Sequence, residues 1–136
     1  MIQVVGRRPV LYDAGALLAA ERGDPEMLSL HRGFCMELMP RIIPASVLTQ
    51  VWRDGACQAR LARFLKSCKI HATPEDTARE AGLLLGRSGT KDVVDATVVA
   101  TARSLGATMI VTSDEGDIKR LWEVADSRVH VTIRHV

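Results

Sequence analysis

The feature that most constrains the fold is the run Val93-Val94-Asp95-Ala96-Thr97-Val98-Val99-Ala100-Thr101-Ala102, apolar almost all the way round a helix. A helix without a continuous polar face must be covered on several sides. Thr90-Lys91-Asp92 opens the run, Gly106 terminates it, and the β-branched strand Thr108-Met109-Ile110-Val111-Thr112 follows at once. A helix buried this way and joined directly to a strand belongs between a sheet and other helices. Asp95 is the one charge within the run, and a carboxylate in such a place needs partners or a metal.

The rest of the chain repeats the alternation. Pro9-Val10-Leu11-Tyr12 is a short strand that ends at Asp13 and passes directly into the helix-favouring Ala14-Gly15-Ala16-Leu17-Leu18-Ala19-Ala20. A helix is predicted over 25–38, stopped by Pro40, then a strand over 41–43. Pro44 and Ser46 open a helix that closes near Gly55, and another is predicted over 56–66. Residues 69–72 read as an edge strand. Thr73-Pro74-Glu75-Asp76 combines a capping residue, an N1 proline and first-turn acids, which starts a helix ending near Gly86. Asp114 caps a last helix through Leu121 and Trp122, and residues 129–133 form a last strand. Strands separated by helices imply a mainly parallel sheet, because each parallel crossover needs a covering helix. The expected fold is a three-layer α/β/α sandwich, and 136 residues suffice for one domain over 1–136.

Composition narrows the function. With 47% hydrophobic and 25% charged residues the chain is neither disordered nor membrane-embedded, and Arg7-Arg8 splits the short N-terminal apolar stretches too early for a signal-peptide core. Cys35, Cys57 and Cys68 are odd in number and lack paired metal-ligand spacing, so a reducing, cytoplasmic location is expected. A net charge of +2 does not by itself mark a nucleic-acid binder.

The acids carry the chemistry. In open parallel sheets the working groups collect beyond the carboxyl ends of the strands. Asp13 and Asp114 each follow a predicted strand and so share that edge. Asp92 and Asp95, three apart in the opening turn of the buried helix, come from the same side, and Asp117 lies three after Asp114. Carboxylates gathered this closely cannot all stay ionised unless a cation neutralises them. Oxygen-only ligand sets select hard ions, Mg²⁺ or Mn²⁺ for phosphate chemistry, which activate water and stabilise in-line displacement at phosphorus.

These residues resemble the PIN-domain family, specifically VapC-like toxins. Val10-Leu11-Tyr12-Asp13-Ala14-Gly15-Ala16-Leu17 is similar to the family's first motif and Ile43-Pro44-Ala45-Ser46-Val47-Leu48 to its second. Asp92-Val93-Val94-Asp95-Ala96 and Val111-Thr112-Ser113-Asp114-Glu115-Gly116-Asp117-Ile118 are similar to the third and fourth. The resemblance implies a metal-dependent ribonuclease, often a homodimer, held inactive by a small antitoxin protein. It implies Asp13, Asp95 and Asp114 as metal-binding acids, Asp92 and Asp117 as accessory ones, and Thr112 with Ser113 as supporting residues. One position departs from the pattern: Gln50 stands where the family carries a glutamate. Glutamine offers a carbonyl oxygen but neither charge nor a base at neutral pH. Asp54, one turn further along the helix, is the candidate substitute.

Other features have plainer readings. Arg60, Arg63 and Lys66, with Arg53 and Lys69, form a basic stripe suited to an RNA backbone or simply to a solvated face. Trp52 and Trp122 read as core anchors, and no histidine falls in metal-ligand spacing. A degenerate domain that binds RNA or a protein without turnover is the alternative, with Gln50 as its mark. A receiver-type phosphoacceptor domain would need an acceptor aspartate and a later lysine that the chain does not place.

Overall fold

The computed structural model describes residues 7–125 and 129–136; what the single-domain expectation says of residues 1–6 and 126–128 falls outside them. Among the described residues the chain runs β1 (Val10–Tyr12), α1 (Ala14–Arg22), α2 (Pro25–Met36), β2 (Arg41–Pro44), α3 (Ala45–Val51), α4 (Ala59–Leu65), β3 (Lys69–His71), α5 (Glu75–Ser88), α6 (Val93–Leu105), β4 (Met109–Thr112), α7 (Glu115–Val124) and β5 (Thr132–His135). The strands form one five-stranded sheet in the order β3-β2-β1-β4-β5, with every pairing parallel. Helices α2, α3 and α4 pack on α1, while α5 and α7 pack on α6, so the sheet is flanked by helices on both faces as its parallel pairing requires.

The central strands are short apolar runs covered from both sides. Val10, Leu11, Tyr12, Ile43, Ile110 and Val111 are fully buried, and Leu11 is in register with both Ile42 and Ile110. Helix α6 is buried continuously from Asp95 to Ala102, as its lack of a polar face demands. Its Thr97 and Thr101 hydroxyls donate to the carbonyls of Val93 and Thr97, which satisfies them inside the helix itself. Gly106 ends α6 in the left-handed conformation.

The strand order reverses beside β1. From β1 the chain moves outward to β2 and β3, then crosses back so that β4 lies on the other side of β1 and β5 beyond it. At such a switch point the connections leave neighbouring strands in opposite directions, and a crevice opens beyond their carboxyl ends. Asp13 leaves β1 and Asp114 follows β4 at that crevice.

Several expected boundaries shift for identifiable reasons. Helix α3 stops at Val51 rather than near Gly55, because the buried Gln58 side chain organises the following turn. Its carbonyl accepts from the amides of Arg53 and Asp54, and its amide donates to the Val51 carbonyl at 2.9 Å. Helix α4 therefore begins at Ala59, not near 56. The cap position of α5 is Pro74, with no side-chain bond from Thr73, and the helix runs to Ser88 before Gly89 ends it. Helix α2 ends at Met36; Leu38 takes a left-handed conformation, φ 58°, just beyond it. The last strand is displaced to Thr132–His135. Trp52 is exposed rather than an anchor, whereas Trp122 packs against the core.

Tyr12 shows how the first motif is tied into the fold. Its hydroxyl meets His31 Nδ1 at 2.7 Å, and His31 Nε2 meets Ser67 Oγ at 2.8 Å. Ser67 donates onward to the Phe64 carbonyl, so His31 must donate from Nε2 and accept at Nδ1 from the tyrosine. Burial, then the Arg41 charge, lowers the imidazole pKa to about 4, which keeps the ring neutral.

Candidate metal centre

Register alone brings the first contact together. Tyr12 pairs with Val111, so the next residues, Asp13 and Thr112, stand level at the strand ends. The Thr112 hydroxyl donates to Asp13 Oδ2 at 2.9 Å, and Thr112 Oγ1 itself accepts the Asp114 amide at 2.9 Å. Asp13 Oδ1 accepts the Ala14 amide and caps α1. Thr112 thus links the acid after β1 to the acid after β4. Because Thr112 is fully buried, Thr112→Val keeps the shape but removes a donor from one group and an acceptor from the other. The expected cost is about 2–4 kcal/mol in urea unfolding; a change below about 0.5 kcal/mol would show that the link does not matter.

Three carboxylates converge further out. One oxygen from each of Asp95, Asp114 and Asp117 lies within 4.8 Å of the others. Asp95 is buried, Asp114 and Asp117 are exposed, and Asp95 Oδ2 is enclosed without a hydrogen-bond partner among the described residues. Asp114 stands at the cap position of α7, as expected. Asp92 does cap: its Oδ1 accepts the Asp95 amide at 3.0 Å, which fixes the first turn of α6. Asp13 and Asp92 are therefore near the trio with oxygens already engaged.

The electrostatics record this crowding. Burial, followed by the charges of Asp13, Asp92, Asp114 and Asp117, pushes the Asp95 pKa up to about 8. Asp13 is raised by burial against the opposing bonds from Ala14 and Thr112, and Asp114 by burial and then Asp117. Such a site holds either a proton or a cation at neutral pH. The donor set fits a hard divalent ion: its members are all carboxylate oxygens, they face one another across the span of one ion, and a buried oxygen is left over.

The remaining candidates are not members of the carboxylate trio. Gln50 is exposed, and its side chain has no hydrogen-bond partner among the described residues; its backbone carbonyl accepts from Arg53. Asp54 is bound into the turn after α3, accepting from the Ala56 amide, and does not join the trio. In the basic stripe, Arg53 folds over the carbonyls of Thr49, Gln50 and Trp52, and Arg60 donates to the Glu21 carbonyl. Arg63, Lys66 and Lys69 remain exposed. Gln58, which ties the end of α3 to α4, has no signal in the sequence, where it falls inside the helix predicted over 56–66.

Comparison with known proteins agrees with this architecture. The model of the PIN domain matches residues 10–123. No curated protein matches the sequence. Solved structures similar in fold include VapBC2 from Rickettsia felis bound to a DNA fragment from the promoter, at TM-score 0.69 and 15% identity over 93% of this chain and 98% of that one. FitAcB from Neisseria gonorrhoeae matches at TM-score 0.64 and 15% identity, covering 93% and 96%. Mycobacterium tuberculosis VapC20, a sarcin-ricin loop cleaving toxin, matches at TM-score 0.55 and 20% identity, covering 74% and 86%.

Proposed function

The chain belongs to the PIN-domain family, and from that premise we propose that it is a Mg²⁺- or Mn²⁺-dependent endoribonuclease, the toxin of a toxin–antitoxin pair. The observation that carries the proposal is Asp95, a buried carboxylate that groups with those of Asp114 and Asp117 and keeps one oxygen, Oδ2, without a hydrogen-bond partner among the described residues. Asp95, Asp114 and Asp117 would hold a divalent cation, which would supply water activation and neutralise charge developing on the phosphate. Asp13, fixed by Thr112 and the start of α1, adds negative field and orients the cluster, and Asp92 keeps the first turn of α6 in place. Because burial and crowding raise the Asp95 pKa to about 8, a cation bound there would displace a proton.

The relatives supply the partner classes. Toxin–antitoxin complexes and a toxin that cleaves the sarcin-ricin loop are among the similar structures, which supports an antitoxin protein as partner and RNA as substrate. Self-association as a homodimer belongs to the same proposal. Along α2 Phe34 is buried and Leu28 and Leu30 pack on the core, while Met36 and, just beyond the helix, Leu38 are exposed. A cytoplasmic location also belongs to it. Among the described residues no helix is long and apolar enough to cross a membrane.

Gln50 favours a second reading, in which the domain binds RNA or a protein without useful turnover. RNA cleavage by purified protein with added Mn²⁺ separates the two: cleavage abolished by a chelator supports the nuclease, and RNA binding without cleavage supports the binding module. Gln50→Glu tests the departure itself. If position 50 faces the metal, the added charge should strengthen Mn²⁺ binding by about 1 kcal/mol, at the low end for a neighbouring charge because the residue is exposed. Calorimetry showing unchanged affinity would place Gln50 outside the site.

A further inference from the structure

We infer that Gly15 is a positioning residue of the acidic site, because only a residue without a side chain lets the first turn of α1 lie against the turn that carries Asp114. A Cβ at Gly15 would come within 2.2 Å of Ser113 Oγ, 2.5 Å of Ser113 Cβ and 2.6 Å of the Ser113 backbone nitrogen. Such distances do not occur between unbonded atoms, and one of the three is to the main chain, so rotating a side chain cannot relieve them. One of the two segments must move.

What moves is the site itself. Gly15 lies two residues after Asp13, on the helix whose cap is Asp13. Ser113 lies between Thr112, which donates to Asp13, and Asp114, which belongs to the carboxylate trio. The Thr112 hydroxyl bridges the two segments through one bond to Asp13 Oδ2 and one from the Asp114 amide, both 2.9 Å. Any side chain at position 15 therefore separates the strand ends at the point where the acids converge. This sets Gly15 apart from Gly82, Gly86 and Gly116, where an added Cβ meets nothing within 4 Å. The chain needs glycine at 15 for close approach rather than for backbone freedom, since no left-handed φ is found there.

The inference rests on the metal reading of the cluster, and its test separates the two. Mn²⁺ affinity is measured by calorimetry on metal-stripped wild type, Gly15→Ala and Gly82→Ala, with the folded fraction of each fixed by circular dichroism. Gly82→Ala should bind as wild type does. Gly15→Ala should bind Mn²⁺ about tenfold or more weakly per folded molecule, the range seen when the support of a metal ligand is disturbed. Adding Ser113→Gly removes the Oγ and Cβ contacts but leaves the main-chain one, so the double variant should recover part of the loss. If Gly15→Ala alone is poorly folded, the same comparison is made in the Gly82→Ala background, where an exposed helical glycine has been replaced by a better helix former. Wild-type affinity in folded Gly15→Ala, or no recovery in the double variant, would overturn the role given to Gly15 while leaving the metal reading intact. Absence of Mn²⁺ binding by the wild type would overturn both.

Discussion

Asp95→Asn is expected to lose Mn²⁺ binding and, without metal, to melt higher than the wild type. The wild-type carboxylate is buried among four other acids and keeps its proton only because its pKa is pushed up to about 8. Asparagine is neutral at every pH and its amide can donate to the neighbouring carboxylates, so the cost of burying an acid disappears. The expected gain is about 1–3 kcal/mol near neutral pH, on the order of 5 °C for a domain of this size. Metal binding falls because the one buried ligand of the trio becomes an uncharged carbonyl. Calorimetry with Mn²⁺ and thermal melts in chelator check both halves. A variant that melts several degrees lower, or binds Mn²⁺ as tightly as the wild type, would contradict the reading of Asp95.

The second large effect is the response of stability to pH. Asp95 has a folded-state pKa near 8 against an ordinary value of 3.8. Between those values the folded chain binds more protons than the unfolded one, so stability falls as pH rises. The protonated site's contribution is complete below about pH 4 and is lost as pH passes through 8, with a slope approaching about 1.4 kcal/mol per pH unit for one proton. Saturating Mn²⁺ should flatten this dependence, because the cation then replaces the proton and stabilises the fold by about 2.7 kcal/mol at a hundred times its dissociation constant. Urea unfolding between pH 5 and 9, with and without Mn²⁺, measures it. Equal slopes in the two series would mean that no cation couples to Asp95.

How far the sequence could be read depended on whether structure followed from local pattern. The apolar run from Val93 to Ala102 required a buried helix, and the alternation around it required a parallel sheet; both are present. The placement of Asp13 and Asp114 at neighbouring strand ends followed from each acid ending a strand. What local pattern does not carry is the partner of each oxygen. Asp92 and Asp13 each give an oxygen to an amide, of Asp95 and of Ala14, a choice set by backbone geometry at helix starts. Gln58 stops α3 early through bonds to amides that only the folded turn brings together. Gly15 looked like an ordinary helix residue, because its reason lies 98 positions away at Ser113.

The most direct test of the nuclease itself compares wild type with Asp95→Asn on RNA under single-turnover conditions, each stripped of metal and then given Mn²⁺ back. Wild-type protein should cleave only after Mn²⁺ is restored, and Asp95→Asn, still folded, should not cleave at any Mn²⁺ concentration that saturates the wild type. Cleavage by the wild type in chelator, or equal cleavage by the two proteins with Mn²⁺, would contradict a metal centre built on Asp95.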